Sequence, residues 1–130
     1  MGDRANFGVR QGNDTVYLYG HWAGYGMMAK LADALEDINT AGRINDEAYA
    51  TRMMFSLIVG EAWNHALGWG ITVNYIGDNE HKVPVVDFRE GTVSLYGYDW
   101  ENNTRRDEPM YTQSIDNFIK RYATKDLTTV

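Results

Sequence analysis

Cysteine is absent from this sequence. Its absence excludes disulfides, thiolate zinc sites, iron–sulfur clusters and cysteine nucleophiles. Proline is scarce, with only Pro84 and Pro109. Long apolar runs are missing too: the longest, Met53 to Val59, is broken by Ser56 and is far too short to cross a bilayer. The polar start, Met1-Gly2-Asp3-Arg4, carries no signal-peptide pattern. Positive charge is in deficit, with 12 Lys and Arg against 18 Asp and Glu, a net charge of −6. That field disfavours duplex nucleic acid, which seeks a basic face, but a local basic pocket can still hold a small anion. The composition points to no membrane partner, no duplex nucleic acid and no cofactor.

What is present is enough for one core. The 130 residues are 44% hydrophobic and 23% charged, as in ordinary globular domains. We expect a single domain over 1–124 and a flexible tail over 125–130. Aromatics are abundant, with four Trp, nine Tyr and four Phe. Such side chains fill cores, but they also stack on bases and populate interfaces.

The periodicities predict an element order. Ala5 to Arg10 and Thr15 to Gly20 alternate around the turn Gln11-Gly12-Asn13-Asp14, the pattern of a β-hairpin. Met27 or Met28, Leu31, Leu35 and Ile38 fall on one helical stripe. Asp46 can cap a second helix, expected to be central and to run to about Ala66. Strands are predicted over 71–76, 82–88 and 92–96 as an antiparallel meander, with Pro84 marking an edge or a bulge. A long mobile loop is expected over 99–109, then a short strand over 110–113. Ser114 can cap a last helix through Tyr122. The fold class is α+β, a mostly antiparallel sheet in ββ-αα-βββ(β)-α order covered by helices. Helices on one face would leave the second face partly apolar and open to dimerisation.

Several features could carry chemistry. The segment Gly20-His21-Trp22-Ala23-Gly24-Tyr25-Gly26 leads from a strand into a helix start, where free N–H groups and the helix dipole attract anions. Tight strand–helix packing explains the same glycines. Trp22, Tyr25, Trp69 and Tyr96 stand beside glycines and could stack on a ring, or simply fill the core. Arg52 on the second helix could fork onto a phosphate or pair with Glu47 or Asp46; Arg4, Arg10 and Arg43 are similar. Glu61 and His65 have the i,i+4 spacing of helical metal ligands, and Asp78, Glu80 and His81 share a turn. A helix-surface pair is the simpler account of Glu61 and His65, and we assign no metal ligand. No nucleophile-elbow or triad context is present, and no catalytic residue is assigned.

Five segments carry a resemblance: Gly2-Asp3-Arg4-Ala5-Asn6-Phe7, Leu18-Tyr19-Gly20-His21-Trp22-Ala23-Gly24, Tyr49-Ala50-Thr51-Arg52, Leu67-Gly68-Trp69-Gly70 and Asp78-Asn79-Glu80-His81. Together they resemble a family of short phage-encoded accessory proteins. The pattern is also similar to the phage nucleotide-sponge proteins of the anti-CBASS family, which sequester cyclic-nucleotide alarm signals of bacterial defence without cleaving them. Some relatives take up signals of the Thoeris pathway. The resemblance implies a non-enzymatic immune-evasion protein, homo-oligomeric, in the cytoplasm of the infected host. For a cyclic dinucleotide or cyclic ADP-ribose, the residues implied are Trp22 and Trp69 as stacking platforms. Arg52, Gly20, Gly24 and His21 would serve phosphate, and Asn79 would read a base. Two other functions remain open: an acidic accessory factor that inhibits a host protein, and a small metal-assisted hydrolase built on Glu61, His65 and the 78–81 turn. A phage structural role is also open.

Overall fold

A computed structural model describes residues 2–124, so the tail expected over 125–130 lies outside the described residues. Alternating apolar residues form a tight hairpin, β1 (Ala5–Gln11) and β2 (Asp14–Gly20), registered from Ala5 opposite Gly20 to Gln11 opposite Asp14. Gly12 sits at φ 64° in the turn, a conformation glycine adopts without steric cost. Helices α1 (Met27–Thr40) and α2 (Glu47–Val59) follow. The Asp46 side chain accepts from the Tyr49 N–H, as its cap position requires. Strands β3 (Trp69–Val73), β4 (Val83–Asp87) and β5 (Thr92–Tyr96) come next. A short ribbon, β6 (Tyr98–Asp99) and β7 (Thr104–Arg105), leads to β8 (Tyr111–Ser114) and α3 (Ile115–Tyr122). Ser114 Oγ accepts from the Asn117 N–H and caps α3.

The fold is α+β. Its six-stranded sheet has the order β3-β2-β1-β4-β5-β8, antiparallel except for the central β1–β4 pair. The predicted meander is therefore corrected. β3 pairs with β2 at one edge, while β4 lies beside β1, and only β4–β5 is a hairpin of that series. β4 is an interior strand rather than an edge. Pro84 is tolerated because pairing with β1 begins only at Val85.

All three helices cover one face. Phe7, Val9, Leu18, Val86 and Val93 meet Leu31, Leu35, Ile38, Met54 and Phe118 in a continuous apolar core. α2 is less central than expected. It buries Ala50, Met54, Phe55 and Val59 but exposes Tyr49 and Leu57. It ends at Val59, well before Ala66, because Gly60 takes φ 62° and ψ −134° and a single 3-10 turn (Gly60–Asn64) follows.

The second face is not left bare. Tyr17, Val83, Val85 and Tyr96 on the sheet pack with Ile76 and Tyr98 from the segments that cross it. The 99–109 segment is thus no free loop. The Tyr98 hydroxyl donates to the Ile76 carbonyl at 3.0 Å, the Ile76 N–H donates to the Asn103 carbonyl at 2.8 Å, and Arg105 lies over the Tyr96 ring. The Asp99 carboxylate accepts from the Glu101 and Asn102 N–H groups and closes the turn. No helix among the described residues is long and apolar enough to cross a membrane.

Candidate ligand-binding cleft

One end of the sheet gathers the starts of β1, β3 and β4 and the ends of β2 and β5. Segments 2–7, 18–24, 67–70 and 78–81 meet there. The 78–81 turn is fastened to β1 by polar contacts. Arg4 reaches Asp78 through Nη1 at 3.1 Å and Glu80 through Nε at 3.0 Å. The Arg4 backbone N–H donates to Glu80 Oε1, and the Glu80 N–H donates to the Arg4 carbonyl. Asn6 Nδ2 donates to the Asp78 carbonyl at 2.7 Å. Hydrogen bonds from Arg4 hold the Glu80 carboxyl below its ordinary range, and the Arg4 guanidinium is raised in turn, first by its bond to Glu80.

Above this turn, His81 Nε2 stands 2.5 Å from Asp3 Oδ1. The Gly24 backbone covers the pair so closely that a Cβ there would lie 2.2 Å from both atoms. The His21 ring accepts or donates at Nδ1 with the Tyr19 hydroxyl at 2.7 Å, and its backbone N–H donates to the Gly68 carbonyl. Trp22 meets His21 edge to face with 4.5 Å between centroids. Burial raises the Tyr19 hydroxyl above its usual range, and Asp78 adds to the effect.

Beside this scaffold opens a cleft of about 660 Å³, within the usual range for small-molecule sites. Its walls are the first turn of α1, the 80–82 segment, the end of β5, the β6–β7 ribbon and Tyr122. Met27, Leu95 and Tyr98 give apolar surface that is largely buried, and Trp100 stands exposed with its ring edge to face with Tyr98 at 4.7 Å. Lys82 and Arg106 supply positive charge at the cleft, and His81 and Glu80, whose carboxylate is paired with Arg4, line it as well. α1 begins at Gly26 in a left-handed conformation, without a side-chain cap and without an acidic residue in its first turn. Met27 and Met28 of that turn line the cleft, so the positive end of the helix dipole lies at its wall.

The seven residues expected to bind a ligand fall into three groups. Gly20, His21, Trp22, Gly24 and Asn79 belong to the scaffold, and none of the seven lines the 660 Å³ cleft. Gly24 acts on it through His81. Asn79 is fully buried, its Oδ1 accepting from Asn6 and its Nδ2 donating to the His81 carbonyl, so it shapes the turn rather than offering an edge to a base. Trp69 lines a separate cavity of about 330 Å³ with Trp63 and His65, which holds no Lys or Arg. Arg52 stands apart: its neighbour Thr51 accepts from Gln11 at the far end of β1. Glu61 and His65 do not share an α-helical face, because α2 has ended before them. Among the described residues, no group of three or more His, Asp or Glu is placed to hold a metal.

Lys82, Trp100 and Arg106 were not singled out in the sequence. The available signal was an exposed-type aromatic and an Arg-Arg pair inside one polar segment. No protein-family model, curated protein sequence or solved structure matches this chain.

Proposed function

We propose that the protein binds and sequesters a small anionic ligand of the cyclic-nucleotide type, a cyclic dinucleotide or cyclic ADP-ribose, without cleaving it. In this reading it is a phage immune-evasion protein working in the cytoplasm of the infected host. The observation that supports it is the joint placement of Trp100, Tyr98, Lys82 and Arg106 around one cleft of nucleotide size. An aromatic ring offers a base a stacking surface, and an Arg and a Lys offer phosphate charge and directed N–H groups. The uncapped start of α1 adds a partial positive charge. The Trp63–Trp69 cavity could take a ring but has no cation for a phosphate.

Native mass spectrometry with a mixture of cyclic dinucleotides and cyclic ADP-ribose isomers tests this reading. An adduct of one intact ligand mass is expected, with the same mass recovered after denaturation. Trp100→Ala should weaken binding by roughly tenfold or more, the worth of one stacked base at about 1–3 kcal/mol. Absence of any adduct across the panel would overturn it. The second reading, an acidic factor that inhibits a host protein, is favoured by exposed Trp22 and Tyr25 beside the cleft scaffold; there, Trp22→Ala and not Trp100→Ala would abolish capture of the host protein.

A further inference from the structure

β3 ends the sheet order, so one whole row of its backbone N–H and C=O groups faces outward. Most proteins blunt such an edge with a charge, a proline or a bulge. β3 has none of these: Trp69-Gly70-Ile71-Thr72-Val73 is uncharged. The other edge, β8, is uncharged too, but its Tyr-Thr-Gln-Ser is polar and leads straight into α3, whereas β3 carries exposed Ile71 and Val73.

The neutral zone extends beyond the strand. No Asp, Glu, Lys or Arg occurs between Glu61 and Asp78, nor between Asp14 and Lys30. These two stretches contain β3 and all of β2 after Asp14, which are neighbours in the sheet; Asp14 itself accepts from Asn74 Nδ2 just past the end of β3. On a chain of net charge −6, most surfaces repel a second copy. An uncharged edge adds no repulsion of its own to the approach of a second copy.

The side chains also suit a copy of themselves. Ile71 and Val73 pair with Leu18 and Val16 on the helix side of the sheet, but the helices stop short of them. They are 53% and 56% exposed, and Trp63 nearby is 50% exposed. Asn74, at φ 61°, ends the strand and folds back, its Oδ1 accepting from the Thr15 N–H. The free edge is therefore short and sharply bounded.

We propose that two copies of this chain pair β3 to β3, antiparallel about a two-fold axis at Ile71, and join their sheets into one. Ile71 then faces the partner's Ile71, and Trp69 faces the partner's Val73. The helix side of the junction is closed by Ile71 and Val73 of both copies. The second face of each sheet, covered by Ile76 and Tyr98, takes no part. This assembly does not depend on the ligand, and the cleft lies on the other side of the scaffold from β3.

The chain's lack of cysteine makes the test clean. Sedimentation at about 100 μM, well above a micromolar Kd, should give a dimer or a larger even assembly. Ile71→Lys places two lysines on directly opposed positions, their Cβ atoms roughly 5 Å apart across the axis, and should halve the assembly mass. Ile71→Cys should form an intermolecular disulfide on mild oxidation, while Leu57→Cys, on the exposed side of α2, should not. Far-UV circular dichroism of Ile71→Lys must match the wild type for the result to count, with Val73→Lys as the substitute if it does not. A monomeric wild type would overturn the proposal, as would an assembly unchanged by Ile71→Lys and Val73→Lys.

Discussion

Gly20 and Gly24 look alike in the sequence, yet alanine at each should have different consequences. A Cβ at Gly20 would lie 2.4 Å from the Ala23 Cβ and 2.7 Å from Trp69 Cζ3. Ala23 is buried and has no rotamer to change, so relief needs a backbone shift or displacement of an indole. Overpacking of that kind costs about 1–3 kcal/mol. The nearest atoms to a Cβ at Gly24 belong to the Asp3 and His81 side chains, which are 42% and 35% exposed and have solvent to turn into. The loss there is one partly exposed pair, about 0–1 kcal/mol. Replacing glycine also restricts the unfolded chain and returns about 0.4–1 kcal/mol at either position. Gly24→Ala should therefore be near neutral, and Gly20→Ala should be worse by about 2 kcal/mol. With a urea m-value of about 2 kcal/mol/M, the two midpoints should differ by about 1 M. Tryptophan fluorescence follows the transition directly. The binding readout should invert the order: Gly24→Ala separates His81 from Asp3 at the cleft wall and should weaken ligand binding by roughly two- to tenfold, the worth of one hydrogen bond. A Gly24→Ala protein as unstable as Gly20→Ala would refute the reasoning, because it would mean that Asp3 and His81 cannot yield.

Further outcomes follow from other parts of the molecule. Phe118 is fully buried between α3 and the core, and Phe118→Ala should cost about 3–5 kcal/mol in chemical denaturation. The Glu80 carboxyl is depressed in the folded state by hydrogen bonds from Arg4. Its contribution to stability is thus complete above the ordinary glutamate value of 4.5 and is lost as pH falls through the lower folded value. Glu80→Gln should flatten the acid limb of a stability–pH curve without changing its neutral plateau slope. Ligand affinity should fall as salt is raised from low to physiological strength, since Lys82 and Arg106 are both exposed and screened there; an affinity independent of salt would argue against a charged ligand in this cleft.

Much of the local structure was legible because its signals are local. The 5–20 hairpin, the α1 stripe and the Asp46 and Ser114 caps depend on residues within a few positions of one another. Partners distant in sequence were not legible. Strand β4 lies beside β1 and not beside β3, and nothing in the alternation of 71–76 or 82–88 encodes that choice. The early end of α2 depends on the positive φ of Gly60, which the apolar run through Val59 masks. The 99–109 segment reads as a loop because its anchors are hydrogen bonds, an aspartate cap and an arginine over a ring rather than an apolar pattern. The site was legible in part. His81, Gly24 and Asn79 do belong to one cluster, but the cleft beside it is lined by Lys82, Trp100 and Arg106, whose convergence is a product of the ribbon. Arg52 shares a resemblance with the others and not a place.

The one parallel pair in the sheet has a consequence for how the chain is made. β1 is a central strand, yet its partner Val85 is roughly 75 residues further along, a separation that slows closure of the sheet. During synthesis at about 5–20 residues per second, several seconds pass between the emergence of the 5–20 hairpin and that of β4. Through that interval one flank of β1 has no strand to pair with, and Phe7 and Val9 have α1 and α2 to pack on but lack Val86 and Phe118 of the same core. The hairpin is therefore the segment on which nascent-chain chaperones should act, and the rate of elongation through α1 and α2 should bear on how much protein reaches the folded state.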